Sequence, residues 1–191
     1  MSGHKTNKVN HCLNRLALTG MKNPDKINPN LILREFCDIE ELAEMKKLFQ
    51  DSCKTAISDK YSWEDGSPGS LLFFYEQLEL LIEACFLIYN KKGFKKRVLK
   101  KSKSANSKKL IKYPDLPCSL TLEEFMNPLI VIEDFFDQRS LLEWKQSLHA
   151  WTEAALSNFS VLENIDPEDL LPYCVGIEKM LEACYRIVSE N

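Results

Sequence analysis

Two carboxylates four residues apart on a helix share one face, and this chain carries that arrangement twice, in Glu79 with Glu83 and in Glu178 with Glu182. Helical bundles can hold cations with inward carboxylates from facing helices, so Glu79, Glu83, Glu178 and Glu182 are a candidate metal cage. Di-iron bundles also draw Glu-x-x-His pairs from two of their helices, and this sequence contains none. The plainer expectation is a solvated polar stripe on otherwise buried helices, with no metal and no cofactor.

His149 has Glu153 four residues ahead, an arrangement that can act as an acid/base pair. No Ser or Cys nucleophile stands at a spacing that would use it, so a structural or surface histidine is expected. Cys85 and Cys184 each end a Glu-Ala-Cys triplet, where a neighbouring carboxylate and apolar surroundings raise a thiol's pKa and leave it inert. All seven cysteines (Cys12, Cys37, Cys53, Cys85, Cys118, Cys174, Cys184) lack a Cys-x-x-Cys pairing, and most sit in apolar helical patterns; this suits reduced thiols in a cytoplasmic protein. With no nucleophile, base and electrophile set, the chain is expected not to be an enzyme.

A different chemistry belongs to residues 91–112, which hold Lys91, Lys92, Lys95, Lys96, Arg97, Lys100, Lys101, Lys103, Lys108, Lys109 and Lys112 and no acid. The remaining chain sets 14 of the 25 basic residues against all 28 acids, a net charge of −14. So dense a cationic run can contact several phosphates and bind nucleic acid or an anionic surface with little sequence preference. Lys outnumbers Arg ten to one in it, and only Phe94 and Tyr113 could stack on bases. The first expectation is therefore a crossover whose charge covers the acidic faces of its own bundle, with nucleic-acid association as the alternative.

Helices must position these groups, and the sequence shows how many. Laid over itself at an offset of 99, the chain aligns 28–90 with 127–189 without a gap, and 18 of 63 pairs are identical, including Lys46/Lys145, Glu79/Glu178 and Glu83-Ala84-Cys85/Glu182-Ala183-Cys184. An internal duplication follows. Each copy reads as a short helix, an amphipathic helix of about twenty residues, judged from its apolar periodicity, and a strongly apolar helix. Asn28-Pro29 with Asn127-Pro128, and Ser67-Pro68 with Asp166-Pro167, look like N-caps followed by proline. Asp38 and Asp137 are expected to cap the middle helices, with Glu41 completing a capping box in the first copy, and Thr121 with Glu124 reads as another box. Pro172 should delay the last helix until near Leu171, and Gly176 should weaken it.

The expected fold class is all-α, a helical bundle of two pseudo-symmetric three-helix repeats sharing one core. Residues 1–27 form a loosely held N-terminal arm, and 28–190 a single helical domain made of repeat one (28–90), a basic crossover linker (91–126) and repeat two (127–189). Repeats of some 63 residues would be marginal alone, so their apolar faces should close on each other. No run spans a membrane, because Glu76, Glu79 and Glu83 interrupt the longest apolar stretch. Trp151 and Phe159 are a candidate aromatic anchor if they reach the surface. The expected function is a non-enzymatic protein-interaction scaffold with a protein partner or a homo-oligomer; the alternatives are nucleic-acid association through 91–112 and a carboxylate metal-binding bundle.

Overall fold

A computed structural model of the chain describes residues 13, 15–16, 27–63, 66–105, 119–163 and 165–190, with side chains left aside over 100–105. Among the described residues every regular element is a helix: α1 Pro29–Cys37, α2 Leu42–Ile57, α3 Pro68–Tyr89, α4 Phe94–Ala105, α5 Leu122–Met126, α6 Leu129–Gln138, α7 Leu141–Ala155 and α8 Pro167–Ser189, with a single 3-10 turn, Val161–Glu163, between the last two. None of these helices is long and apolar enough to cross a membrane.

Local chemistry sets most of the boundaries. Asn28 caps α1 through its side chain and Pro29 opens it; Ser67 before Pro68 and Asp166 before Pro167 do the same for α3 and α8. Thr121 and Glu124 form the expected capping box at α5. The middle helices depart from expectation. Asp38 ends α1 rather than starting α2, whose N-cap Glu41 makes no side-chain hydrogen bond, while the capping box at α7 is Ser140 with Glu143. These helices run 16 and 15 residues. Asn127 does not N-cap α6 as expected; it closes α5, its backbone N–H donating to the Glu123 carbonyl. It is fully buried, and its side-chain amide donates to the carbonyl of Val98 at 2.9 Å, tying α4 to the start of α6.

Pro172 does not delay α8, which runs through it from Pro167. The proline removes one hydrogen bond in the second turn, where Leu171 and Pro172 are exposed and water can take the freed carbonyl. Gly176 has a positive role: a Cβ there would stand 3.0 Å from the Trp144 ring, which stacks on Phe135 with centroids 3.8 Å apart. Hydrogen alone lets α8 approach that stack. In the turn between α3 and α4, Gly93 adopts φ 81°, where a side chain would be strained.

The helices close round one main core. Packing is densest for α1 on α3 and α2 on α7, and α8 seats against α1, α2 and α6 while α3 seats against α6 and α7. The third helix of each half is thus covered by the short and middle helices of the other half as well as by the short helix of its own. α3 and α8 meet at Cys85 and Cys184, whose sulfurs lie 3.4 Å apart and fully buried. Leu13 and Leu16 are buried too, so this part of the N-terminal arm is docked rather than loosely held.

Candidate functional site

The four glutamates do not gather in one cage, nor do they form a solvated stripe. Glu83 and Glu182 are buried at 0% and 4% exposure, and each is enclosed by donors. Glu83 accepts from the backbone N–H groups of Arg15 (3.1 Å) and Leu16 (2.7 Å) and pairs with the ammonium of Lys145. Glu182 accepts from the backbone of Ser119 (2.9 Å) and Leu120 (3.3 Å) and pairs with Lys46. Each carboxylate therefore sees two consecutive amides and one lysine from the middle helix of the other half, the enclosure a buried anion requires.

Their neighbours one turn earlier complete two polar clusters. Glu79 binds Lys145 at 2.9 Å and Arg15 at 2.9 Å, and Arg15 also reaches Glu76 at 3.1 Å. Glu178 accepts from the Ser119 hydroxyl at 3.1 Å and the Gln50 amide at 2.8 Å. Burial works to raise the Glu79 carboxyl, but hydrogen bonds from Lys145 and Arg15 outweigh it and hold the group below the ordinary glutamate value. At Glu83 burial prevails over the same lysine and the Leu16 amide, and the carboxyl is pushed up. Among the described residues, no group of three or more His, Cys, Asp or Glu side chains is arranged to hold a metal ion.

Beside the Glu79 cluster a groove of about 830 Å³ runs between α3 and α7, lined by Arg15, Tyr75, Glu76, Lys145 and His149 among others. His149 sits at its edge with Glu153 at 3.4 Å, both largely exposed. The cations and carboxylates along the groove are matched in pairs, leaving an electrically mixed wall.

The basic segment stands apart from these clusters. Phe94 and Val98 bury one face of α4, while Lys91, Lys92, Lys95, Lys96 and Arg97 are exposed. Lys95 lies 3.8 Å from Glu133. Lys100, Lys101 and Lys103 lie on the same helix, and Lys108, Lys109 and Lys112 fall outside the described residues.

Trp151 and Phe159 separate. Trp151 is fully buried and stacks on Tyr173 at 4.6 Å, so it cannot be a surface anchor; its position faces the α2–α7–α8 core. Phe159 is 60% exposed on the loop after α7. That loop lies against the one after α2, through the Tyr61 N–H to Asn158 at 3.4 Å and the Ser160 hydroxyl to the Ile57 carbonyl at 2.6 Å. Tyr61 and Leu162 are exposed on the same pair of loops. Sequence reasoning missed the lysines that clamp the glutamates, although Lys46/Lys145 is one of the aligned identities.

No family model, curated protein or solved structure matches this chain.

Proposed function

We propose that the protein is a non-enzymatic helical scaffold that associates with another protein, in the first instance a second copy of itself, through the end of the bundle where the loops after α2 and α7 meet. The observation that carries this reading is the clustering of Tyr61, Phe159 and Leu162, all exposed, on two loops hydrogen-bonded to each other. Large apolar side chains grouped on one surface mark association sites more often than scattered ones do. Sedimentation over a range of concentrations tests it. A concentration-dependent dimer is expected, lost in the Phe159→Ser/Leu162→Ser double variant; a chain that stays monomeric throughout overturns self-association through this end.

The duplication belongs to the same reading. Residues paired at an offset of 99 make reciprocal contacts, Lys46 with Glu182 and Lys145 with Glu83, and Cys85 lies against Cys184; the amides of 15–16 and of 119–120, outside the aligned stretches, serve one glutamate each. The five described cysteines are free thiols, which supports a reducing compartment such as the cytoplasm.

Nucleic-acid association through 91–112 is the second reading, favoured by the exposed Lys95, Lys96 and Arg97 on α4 and the exposed Lys91 and Lys92 just before it. Affinity for arbitrary duplex DNA should then fall steeply with salt, with a log-log slope of about −0.9 per phosphate contacted. Gln at Lys95, Lys96, Arg97, Lys100 and Lys101 should abolish it. No affinity at low salt would return the segment to the role of a covering crossover.

A further inference from the structure

Cys53 and Cys174 face each other where α2 packs on α8, with their sulfurs 3.7 Å apart. Cys174 is half-buried and Cys53 is buried, so Cys174 is the more accessible of the two. The closer pair, Cys85 and Cys184, is fully sealed in the core. Two buried phenols border the accessible pair. The Tyr173 hydroxyl finds no hydrogen-bond partner among the described residues, and the Tyr75 hydroxyl lies beside the Ser52 side chain, next in sequence to Cys53. Stacking on Trp151 fixes the Tyr173 ring. A phenolic O–H can donate to a thiolate or to the oxygen of a sulfenic acid, the chemistry an oxidised or ionised sulfur at this seam calls for.

We propose that Cys53 and Cys174 form an oxidisable dithiol that reacts with a hydroperoxide, Cys174 as the attacking sulfur and Cys53 as the resolving one, to close a disulfide between α2 and α8. The Cys174 thiolate attacks one oxygen of hydrogen peroxide; the O–O bond breaks, hydroxide leaves, and Cys174 becomes a sulfenic acid. The Cys53 sulfur then attacks the Cys174 sulfur, the S–O bond breaks, and the departing hydroxide takes the Cys53 proton as water. The first hydroxide takes up the proton that Cys174 gave away on ionising. In sum two thiols lose two electrons, the peroxide gains them, and two waters form. The sulfurs close from 3.7 Å to the roughly 2.05 Å of a disulfide, a shift of side-chain size.

Proton placement agrees with this division of labour. The hydrogen bond between the two sulfurs lowers Cys174 against the opposing effect of burial, while that same bond and burial push Cys53 up. Glu178, one turn beyond Cys174, opposes ionisation of both. Because 53 and 174 lie in different halves, the bond would tether the bundle across its main packing seam.

The test exposes the full native chain to submillimolar hydrogen peroxide, alkylates the remaining thiols in denaturant and maps the unreduced digest by mass. A Cys53–Cys174 link is expected, appearing at least tenfold faster than oxidation of half-buried Cys37, with Cys85 and Cys184 recovered as alkylated thiols. Its formation should raise Tm by several degrees, reversed by dithiothreitol. In Cys53→Ala, dimedone should trap a sulfenic acid on Cys174; in Cys174→Ala, Cys53 should stay reduced. Oxidation of Cys174 no faster than that of Cys37, or a Cys85–Cys184 link forming first, overturns the proposal. Both of those outcomes are read on the unsubstituted chain, so neither depends on a variant folding.

Discussion

Glu79 and Glu83 share one lysine yet are shifted in opposite directions, and the difference can be read in stability. Glu79 is held below its unfolded value, so its contribution is present above about pH 4.5 and is lost as pH falls through its folded value. Glu83 is raised, so in the folded state it resists ionisation; its unfavourable contribution at neutral pH is relieved as pH falls toward the unfolded value. Urea unfolding of Glu79→Gln should therefore show a larger loss of stability at pH 7 than at pH 4, and Glu83→Gln the reverse order. Parallel pH dependence in the two variants would show that Lys145 does not divide its influence in this way. Removing the lysine is the harsher change. Lys145→Met leaves the buried Glu83 without its counter-charge and should cost about 3–5 kcal/mol, as should Lys46→Met at Glu182.

Among the elements, α7 and α8 make the sharpest forecasts. Alanine usually favours a helix over glycine by about 1 kcal/mol. At Gly176 the new methyl would meet the Trp144 ring at 3.0 Å, inside a Phe135–Trp144 stack pinned by the Trp144 N–H on the Phe135 carbonyl at 2.8 Å, and the ring has no easy retreat. Gly176→Ala should therefore destabilise, by about 1–3 kcal/mol in thermal or urea unfolding. A gain in stability would mean the stack yields. Ser140→Ala, which removes the cap of α7, should cost about 1 kcal/mol, whereas Asp38→Ala, at a helix end with no side-chain cap to lose, should stay within about 0.5 kcal/mol.

At the scale of the molecule, the halves are interlocked rather than adjoining. α2 finds its main partners in α7 and α8, and α3 is covered by α6 and α7 as well as by α1. A fragment of residues 1–105 would expose those faces and leave Glu83 without Lys145. It should show no cooperative unfolding transition by circular dichroism, while the full chain unfolds in one step. A fragment that melts cooperatively would show that each half carries its own core.

Helix content and three of the helix starts that place proline after a cap were legible in the residues themselves, because caps, proline and the 3.6-residue period act within a turn or two of chain. Which groups satisfy the glutamates was not. Lys46 lies 136 residues from Glu182 and Lys145 lies 62 from Glu83, and no local rule links such positions. The duplicated lysine was visible as an identity, but only the crossing of α2 and α7 over the opposite halves brings it to the carboxylate. The same holds for Asn127, which has the sequence of a cap and serves as a clamp on Val98, and for Trp151, whose burial rather than exposure is decided by Tyr173 on another helix. Local sequence sets where a helix begins and which face is apolar; the partner of a buried charge or ring is set by how helices cross, and that emerges only when the whole chain has closed on its core.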